Sequence, residues 1–174
     1  MKKVITFLFL VTVSFTQAQQ AFKGKGDIKV NVGANIQDGG SGIQGSVDFG
    51  LGENFSFGFV ANYLLGVDNF TGFYNNNPYN DYKPDFGDRF DAKARINANL
   101  SSVIGVEQLD VYPGLSLGLH NFGGHIGGRY FFTDGFGVFT EIGFPIAKYG
   151  SNNGVFDHLN NQTTFSLGAS FNLD

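Results

Sequence analysis

Eight charged side chains, Asp27, Lys29, Asp48, Asp91, Lys93, Arg95, Arg129 and Glu141, stand in segments where polar and apolar residues alternate, and all eight fall on the polar parity. Their row-mates are mostly Gly, Ser, Asn and Thr rather than further charges. Four are acidic and four basic, so the set is neutral. Gathered in a narrow, dry space, such groups either pair with one another or line a path for ions or protons. A buried charge left alone costs about 3–5 kcal/mol, which favours pairing. Ser116, His125 and Glu141 supply the residue types of a hydrolytic triad. No distinctive spacing links them, however, and His125 has the parity of the polar rows. Metal-ligand spacing is also missing: His120 and His125 are five apart, there is no Cys, and Asp81, Asp85 and Asp88 miss the pattern of a calcium loop. The chain is therefore read as having no catalytic residues, no metal and no cofactor.

The elements that position these groups must suit an unusual composition. Of 174 residues, 26 are Gly and 21 are Phe, with only 15% charged, against roughly 25% in ordinary soluble domains. The Gly has no three-residue period, which excludes collagen, and the aromatics are too plentiful for disorder. Lys2 and Lys3 precede an apolar run from Val4 to Phe15 and the ending Thr16-Gln17-Ala18, so residues 1–18 read as a secretory signal peptide cut after Ala18. The run is too short for a membrane-spanning helix. Cleavage leaves 19–174 as one domain and takes the net charge from −4 to −6 by removing two lysines. An acidic chain without clustered Lys or Arg excludes nucleic acid as a partner, and the lack of Cys excludes disulfides and a lipid anchor at the cleavage site.

Period-two alternation fills most of 19–174. It runs through 27–36, 43–51, 55–63, 90–100, 111–120, 125–132, 137–144 and 164–173. In the fourth segment Phe90, Ala92, Ala94, Ile96, Ala98 and Leu100 alternate without exception with Asp91, Lys93, Arg95, Asn97 and Asn99. Breakers separate the segments at 38–41, 52–54 and 133–135, and longer gaps span 66–88 and 148–161. Eight strands of about ten residues match the length that crosses a bilayer at a tilt.

In a water-soluble sandwich or lipocalin-like barrel the polar rows would face solvent and be rich in Lys and Glu. Here they are small and neutral, while the apolar rows carry no charge, as a lipid-facing surface demands. Apolar-out is the consistent orientation. In hydrocarbon a strand edge has no water to bond, so the sheet must close. The expectation is an all-β, eight-stranded antiparallel up-and-down transmembrane barrel, with Phe55, Tyr63, Phe90, Tyr112, Phe132 and Phe136 as interface aromatics. With both mature termini periplasmic, the two longest gaps fall outside the cell.

On the leader, the strand count, the loop asymmetry and the alternating last segment Thr163–Asp174, the chain resembles the small eight-stranded outer-membrane barrels of the OmpA and OmpX type, which also occur as porin-family outer-membrane β-barrel domains. The resemblance implies a monomer in the outer membrane of a Gram-negative cell envelope. It also implies contact with outer-membrane lipids and lipopolysaccharide, and recognition of the last strand by the barrel-assembly machinery. Such barrels usually end in an aromatic, whereas Phe171 is followed by three residues.

An eight-stranded barrel is just wide enough for side chains to fill it, so Lys29, Asp48, Asp91, Lys93, Arg95, Arg129 and Glu141 are expected to form a lumen charge network. A two-residue type I′ turn at Asp38-Gly39 would set Lys29 opposite Asp48, and a tight turn near Gly135 would set Arg129 opposite or diagonal to Glu141. Outside, Phe70, Phe73, Tyr74, Tyr79, Tyr82 and Phe86 lie among Asn and Asp, a composition suited to protein or glycan recognition or to packing on the barrel rim. The expected function is structural or interactive, through external loops that could meet an extracellular or envelope protein. A narrow channel for small solutes or ions is the second reading, and a lipid-modifying enzyme the third.

Overall fold

The computed structural model describes residues 20–74, 77–149 and 154–173; the expected leader lies outside the described residues. The strands are β1 (Ile28–Gln37), β2 (Gly40–Gly50), β3 (Phe55–Val67), β4 (Phe70–Tyr74), β5 (Asn77–Tyr82), β6 (Phe90–Ala98), β7 (Leu109–Gly118), β8 (Asn121–Phe131), β9 (Phe136–Lys148) and β10 (Thr164–Asn172). All but β4 and β5 form one closed antiparallel barrel in up-and-down order. The seam pairs β1 with β10, from Lys29 opposite Asn172 to Gln37 opposite Thr164. Gly33 and Gly168 face each other across it, and a Cβ on either would overlap the opposing backbone.

Alternation sets orientation directly. On β1 Asn31 and Asn35 are fully buried, while their apolar neighbours Val32 and Ile36 are 54% and 45% exposed. The same inversion recurs around the barrel: Arg95 is buried beside exposed Ile96, and Ser166 beside exposed Leu167. Polar groups fill the interior and Val, Ile, Leu and Phe form the outer belt, the reverse of a barrel folded around an apolar core.

Turn lengths alternate by end. On the termini side the connections are short, at 51–54 and 132–135, or carry the helical turn Ser101–Ile104. At the far end lie the two-residue turn 38–39, the 119–120 turn and the long excursions between β3 and β6 and between β9 and β10. The Asp38-Gly39 turn has the expected length but is not type I′. That type needs positive φ at both central residues, and Asn160 is the sole non-glycine with positive φ among the described residues. Gly40 and Ser41, read from sequence as turn, belong to β2.

The 66–88 gap is also more ordered than expected. It contains the β4–β5 hairpin, paired from Phe70 opposite Tyr82 to Tyr74 opposite Asn77, and the helical turn Phe86–Arg89. Asp85 Oδ1 accepts from the Asp88 amide and Asp88 Oδ2 from the Asp85 amide, a reciprocal capping box that occupies two of the three aspartates there.

Candidate functional site

Among the described residues the buried charges lie in the lumen. Asp27, Lys29, Asp48, Asp91, Arg95, Arg129 and Glu141 are buried, and the Lys93 side chain is 18% exposed. A further acid, Asp110, is fully buried with them, so the interior holds five acids and four bases rather than a neutral set. Asp110 has the inward parity of Tyr112, but the sequence reading started its strand one residue later, at Val111.

The centre is organised on Asp48. Arg95 donates to it from Nε and from Nη2, each at 2.7 Å, and Arg129 Nη2 donates at 2.8 Å. Asn97 Nδ2 adds a bond at 3.1 Å. Arg95 also reaches Glu141, Nη1 to Oε2 at 2.8 Å. Because β2 and β8 are four strands apart in a ring of eight, the Arg129–Asp48 bridge spans the full width of the lumen. Two guanidiniums side by side are tolerable only because two carboxylates and the face of Tyr112 share their charge. The Arg129 guanidinium carbon lies 4.1 Å from the Tyr112 ring centre and that of Arg95 5.8 Å.

Two pairings expected from neighbouring strands come out differently. Lys29 is opposite Asp48 in register, yet its ammonium is 2.5 Å from Asp27 Oδ1 and 2.9 Å from Asn172 Oδ1, while Asp48 holds the arginines. Arg129 lies opposite Phe139, and Glu141 opposite Gly127, so those charges are diagonal, but each bonds elsewhere. Long side chains across a narrow tube outcompete adjacent ones when they offer bidentate geometry. Lys93 and Asp91 pair at 3.3 Å in the half away from the termini.

Aromatic placement differs too. Tyr112, expected at an interface, is fully buried in the lumen; its ring lies over Gly127, its register partner, where a Cβ would overlap it. Phe131 and Phe139 are also buried, and Lys29 Nζ sits 5.1 Å from the Phe131 ring centre. Phe55, Phe132 and Phe136 are exposed on the belt. Of the external aromatics, Phe86 stacks on Phe90 at 5.3 Å and touches Tyr63 at 5.7 Å, so it packs on the rim. Phe70, Phe73 and Tyr74 fall on β4, Tyr79 and Tyr82 on β5; their side chains lie outside the described part of the molecule.

Chain segments cover both ends of the lumen. At the termini end Ala21 and Phe22 are buried, held by Ala21 N donating to Glu107 O and Lys23 N to Asp27 Oδ2 at 2.8 Å. At the far end Leu159, Asn160 and Asn161 are buried. Asn160 N donates to Gln37 Oε1 at 3.2 Å, and Asn121 Nδ2 donates to Asn160 O at 2.9 Å and Asn161 Oδ1 at 3.1 Å. Neither plug had a signal in the alternation, because neither is a strand.

Between them a cavity of about 20 Å³ remains, bordered by Gln44, Lys93, Arg95, Ser116, His125 and Glu141 among others. Ser116, His125 and Glu141 thus share one cavity, but His125 Nε2 is 2.7 Å from Asn97 Oδ1 and Glu141 is committed to Arg95. Among the described residues Ser116 makes no hydrogen bond to His125. The space holds about one water, and the barrel wall separates it from the belt.

In fold the chain is similar to the N-terminal β-barrel domain of Pseudomonas aeruginosa OprF, with a TM-score of 0.53 at 13% identity over 87% of this chain and 100% of that one. The de novo designed barrel TMB2.3 aligns at a TM-score of 0.42 and 13% identity, over 87% of this chain and 98% of that one. None of the curated proteins matches the chain in sequence. A family model matches residues 12–173, nearly the whole length, and the chain therefore belongs to the family of unknown function DUF6646.

Proposed function

We propose that this chain is an outer-membrane β-barrel with a sealed polar lumen, acting as a structural or interaction protein through the loops at the end away from its termini. The observation that carries the reading is the pairing of an apolar belt with a lumen bridged across its full width by Arg129 and Asp48. A belt of exposed Val, Ile, Leu and Phe is stable in hydrocarbon, and closure leaves no strand edge for water to satisfy. A cavity of about 20 Å³ is far short of a solute path, which disfavours a channel. Burial of Ser116, His125 and Glu141 behind the wall gives a lipid substrate no route to them, which disfavours an enzyme.

In this reading the signal peptide is removed, both mature termini are periplasmic, and the β4–β5 hairpin and residues 154–163 face outward. The β4–β5 hairpin, with its Phe and Tyr residues set among Asn and Asp, is the surface offered to an extracellular or envelope protein. The C-terminal strand is the segment offered to the assembly machinery, and the lipid contacts include lipopolysaccharide.

The test is single-channel recording of the purified, folded chain in a planar bilayer. The expected result is no stepwise current above the bare bilayer. Steady openings would defeat the sealed lumen and install the narrow channel in its place.

A further inference from the structure

At the termini end of the lumen three side chains of complementary reactivity meet. Lys29 on β1 and Asn172 on β10 are direct register partners across the seam that joins the first strand to the last. Lys29 Nζ is 2.9 Å from Asn172 Oδ1 and 2.5 Å from Asp27 Oδ1, and the Lys29 and Asp27 side chains are 1% and 0% exposed. The Lys23 amide holds Asp27 by its other oxygen, Oδ2, and the Phe131 ring stands 5.1 Å from the ammonium. Asn172 is half-buried, and its Nδ2 donates to the carbonyl of exposed Asp134 at 3.3 Å. Backbone pairing fixes both ends, with Leu173 N donating to Ile28 O at 3.0 Å. An amine in contact with a carboxamide, and a carboxylate in contact with the amine, is the set that transamidation needs. Held so, the amine attacks as if within one molecule, and the carboxylate is in reach to act as base.

We infer that Lys29 and Asn172 join covalently through a side-chain amide, with Asp27 as the catalytic proton carrier. Asp27 takes one proton from the Lys29 ammonium, and the neutral Nζ forms a bond to Asn172 Cγ. A second Nζ proton passes to Nδ2 as the Cγ–Nδ2 bond breaks. The released ammonia takes the Asp27 proton and leaves as ammonium, so Asp27 returns to its carboxylate and no oxidant or reductant is consumed. Two features choose Asn172 over Asp27 as the acyl donor. A carboxamide carbonyl stays electrophilic, whereas an ionised carboxylate repels an attacking amine. The leaving nitrogen also faces the exposed Asp134, which gives ammonia an exit that buried Asp27 lacks. The link joins residues 143 apart in sequence, and a cross-link that closes so long a loop restricts the unfolded chain strongly. It fastens the barrel seam and does not depend on which solvent surrounds the belt.

The test is peptide mass spectrometry of the full chain, before and after it is folded from urea into vesicles. Before folding, every peptide should carry its full mass. After folding, the peptide holding Lys29 and the C-terminal peptide holding Asn172 should be replaced by one branched species, lighter than their sum by one ammonia. Cyclisation of Gln19 at a cut N-terminus, or of Asn153 before Gly154, also releases ammonia, so the branched species rather than the intact mass is the readout. On a denaturing gel after boiling, the linked chain should run apart from Lys29→Arg, which keeps a cation facing Asp27 but has no amine to acylate. Asp27→Asn should slow linkage by roughly a hundredfold. Linkage of that variant at the unaltered rate would remove Asp27 from the step. A link from Lys29 to Asp27, marked by loss of water, would overturn Asn172 as the acyl donor. Separate, full-mass peptides from the folded natural sequence would overturn the amide itself, whether or not any variant folds.

Discussion

Asp48 is where the lumen is most vulnerable, because one carboxylate answers two arginines and an asparagine. Asp48→Asn keeps the shape but leaves Arg95 with Glu141 as its bonded carboxylate, beside the Ser46 hydroxyl, and Arg129 without an anion on its bonded nitrogen. Loss of about 3–5 kcal/mol is expected, read as a lower urea midpoint for unfolding from vesicles. Glu141→Gln should cost less, about 1–3 kcal/mol, since Arg95 keeps two bonds to Asp48. A midpoint drop larger than that of Asp48→Asn would reassign the hub. Gly127→Val tests the Tyr112 seat: the added side chain must displace a ring that two guanidiniums face, at about 1–3 kcal/mol by the same measurement. At this scale the inward placement of the charges was legible from parity alone, because in a strand every second side chain shares a face. The partners were not legible. Register relates adjacent strands, whereas Arg129 and Asp48 meet across a diameter that no local pattern encodes.

All eight barrel strands could be read from alternation, and the turns near 38–39, 51–54 and 132–135 from Gly and Asp clusters, whereas the turn at Leu119 and His120 carries no such cluster and read as strand, with Asn121–Gly124 of the next strand left out. What alternation could not reveal is structure built from other signals. The β4–β5 hairpin hides in a stretch crowded with Asn and interrupted by Pro78, where hydrophobic periodicity is weak. The two covers are irregular segments fastened by side-chain amides and a few buried apolar groups, so only packing exposes them. Each makes a prediction. Asn160 adopts φ 57, a left-handed conformation that Asn tolerates and a β-branched residue resists by roughly 1–2 kcal/mol. Asn160→Val should therefore speed protease cleavage within 154–163 without altering cleavage at the opposite end. Phe22→Ala should destabilise the fold by about 3–5 kcal/mol, read as a lower urea midpoint, and leave the 154–163 cleavage rate unchanged.

At the scale of the whole molecule, an inside-out amino-acid distribution and a ring with no free edge are one fact seen twice. Side chains too polar for hydrocarbon are locked into a tube whose outer face is too apolar for water. The described residues contain no cysteine, so single-cysteine scanning of β10 introduces a unique label at each position without background. Spin labels at 164–172 other than Gly168, where a side chain would overlap the β1 backbone, test this arrangement most directly when probed in vesicle-reconstituted protein by molecular oxygen and by a water-soluble nickel chelate. Odd positions from Phe165 to Phe171 should be reached by oxygen and shielded from nickel, while the mid-strand even positions Ser166 and Ser170 should be reached by neither. Nickel access at those even positions would mean an open lumen, and nickel access at the odd ones would mean that the belt faces water.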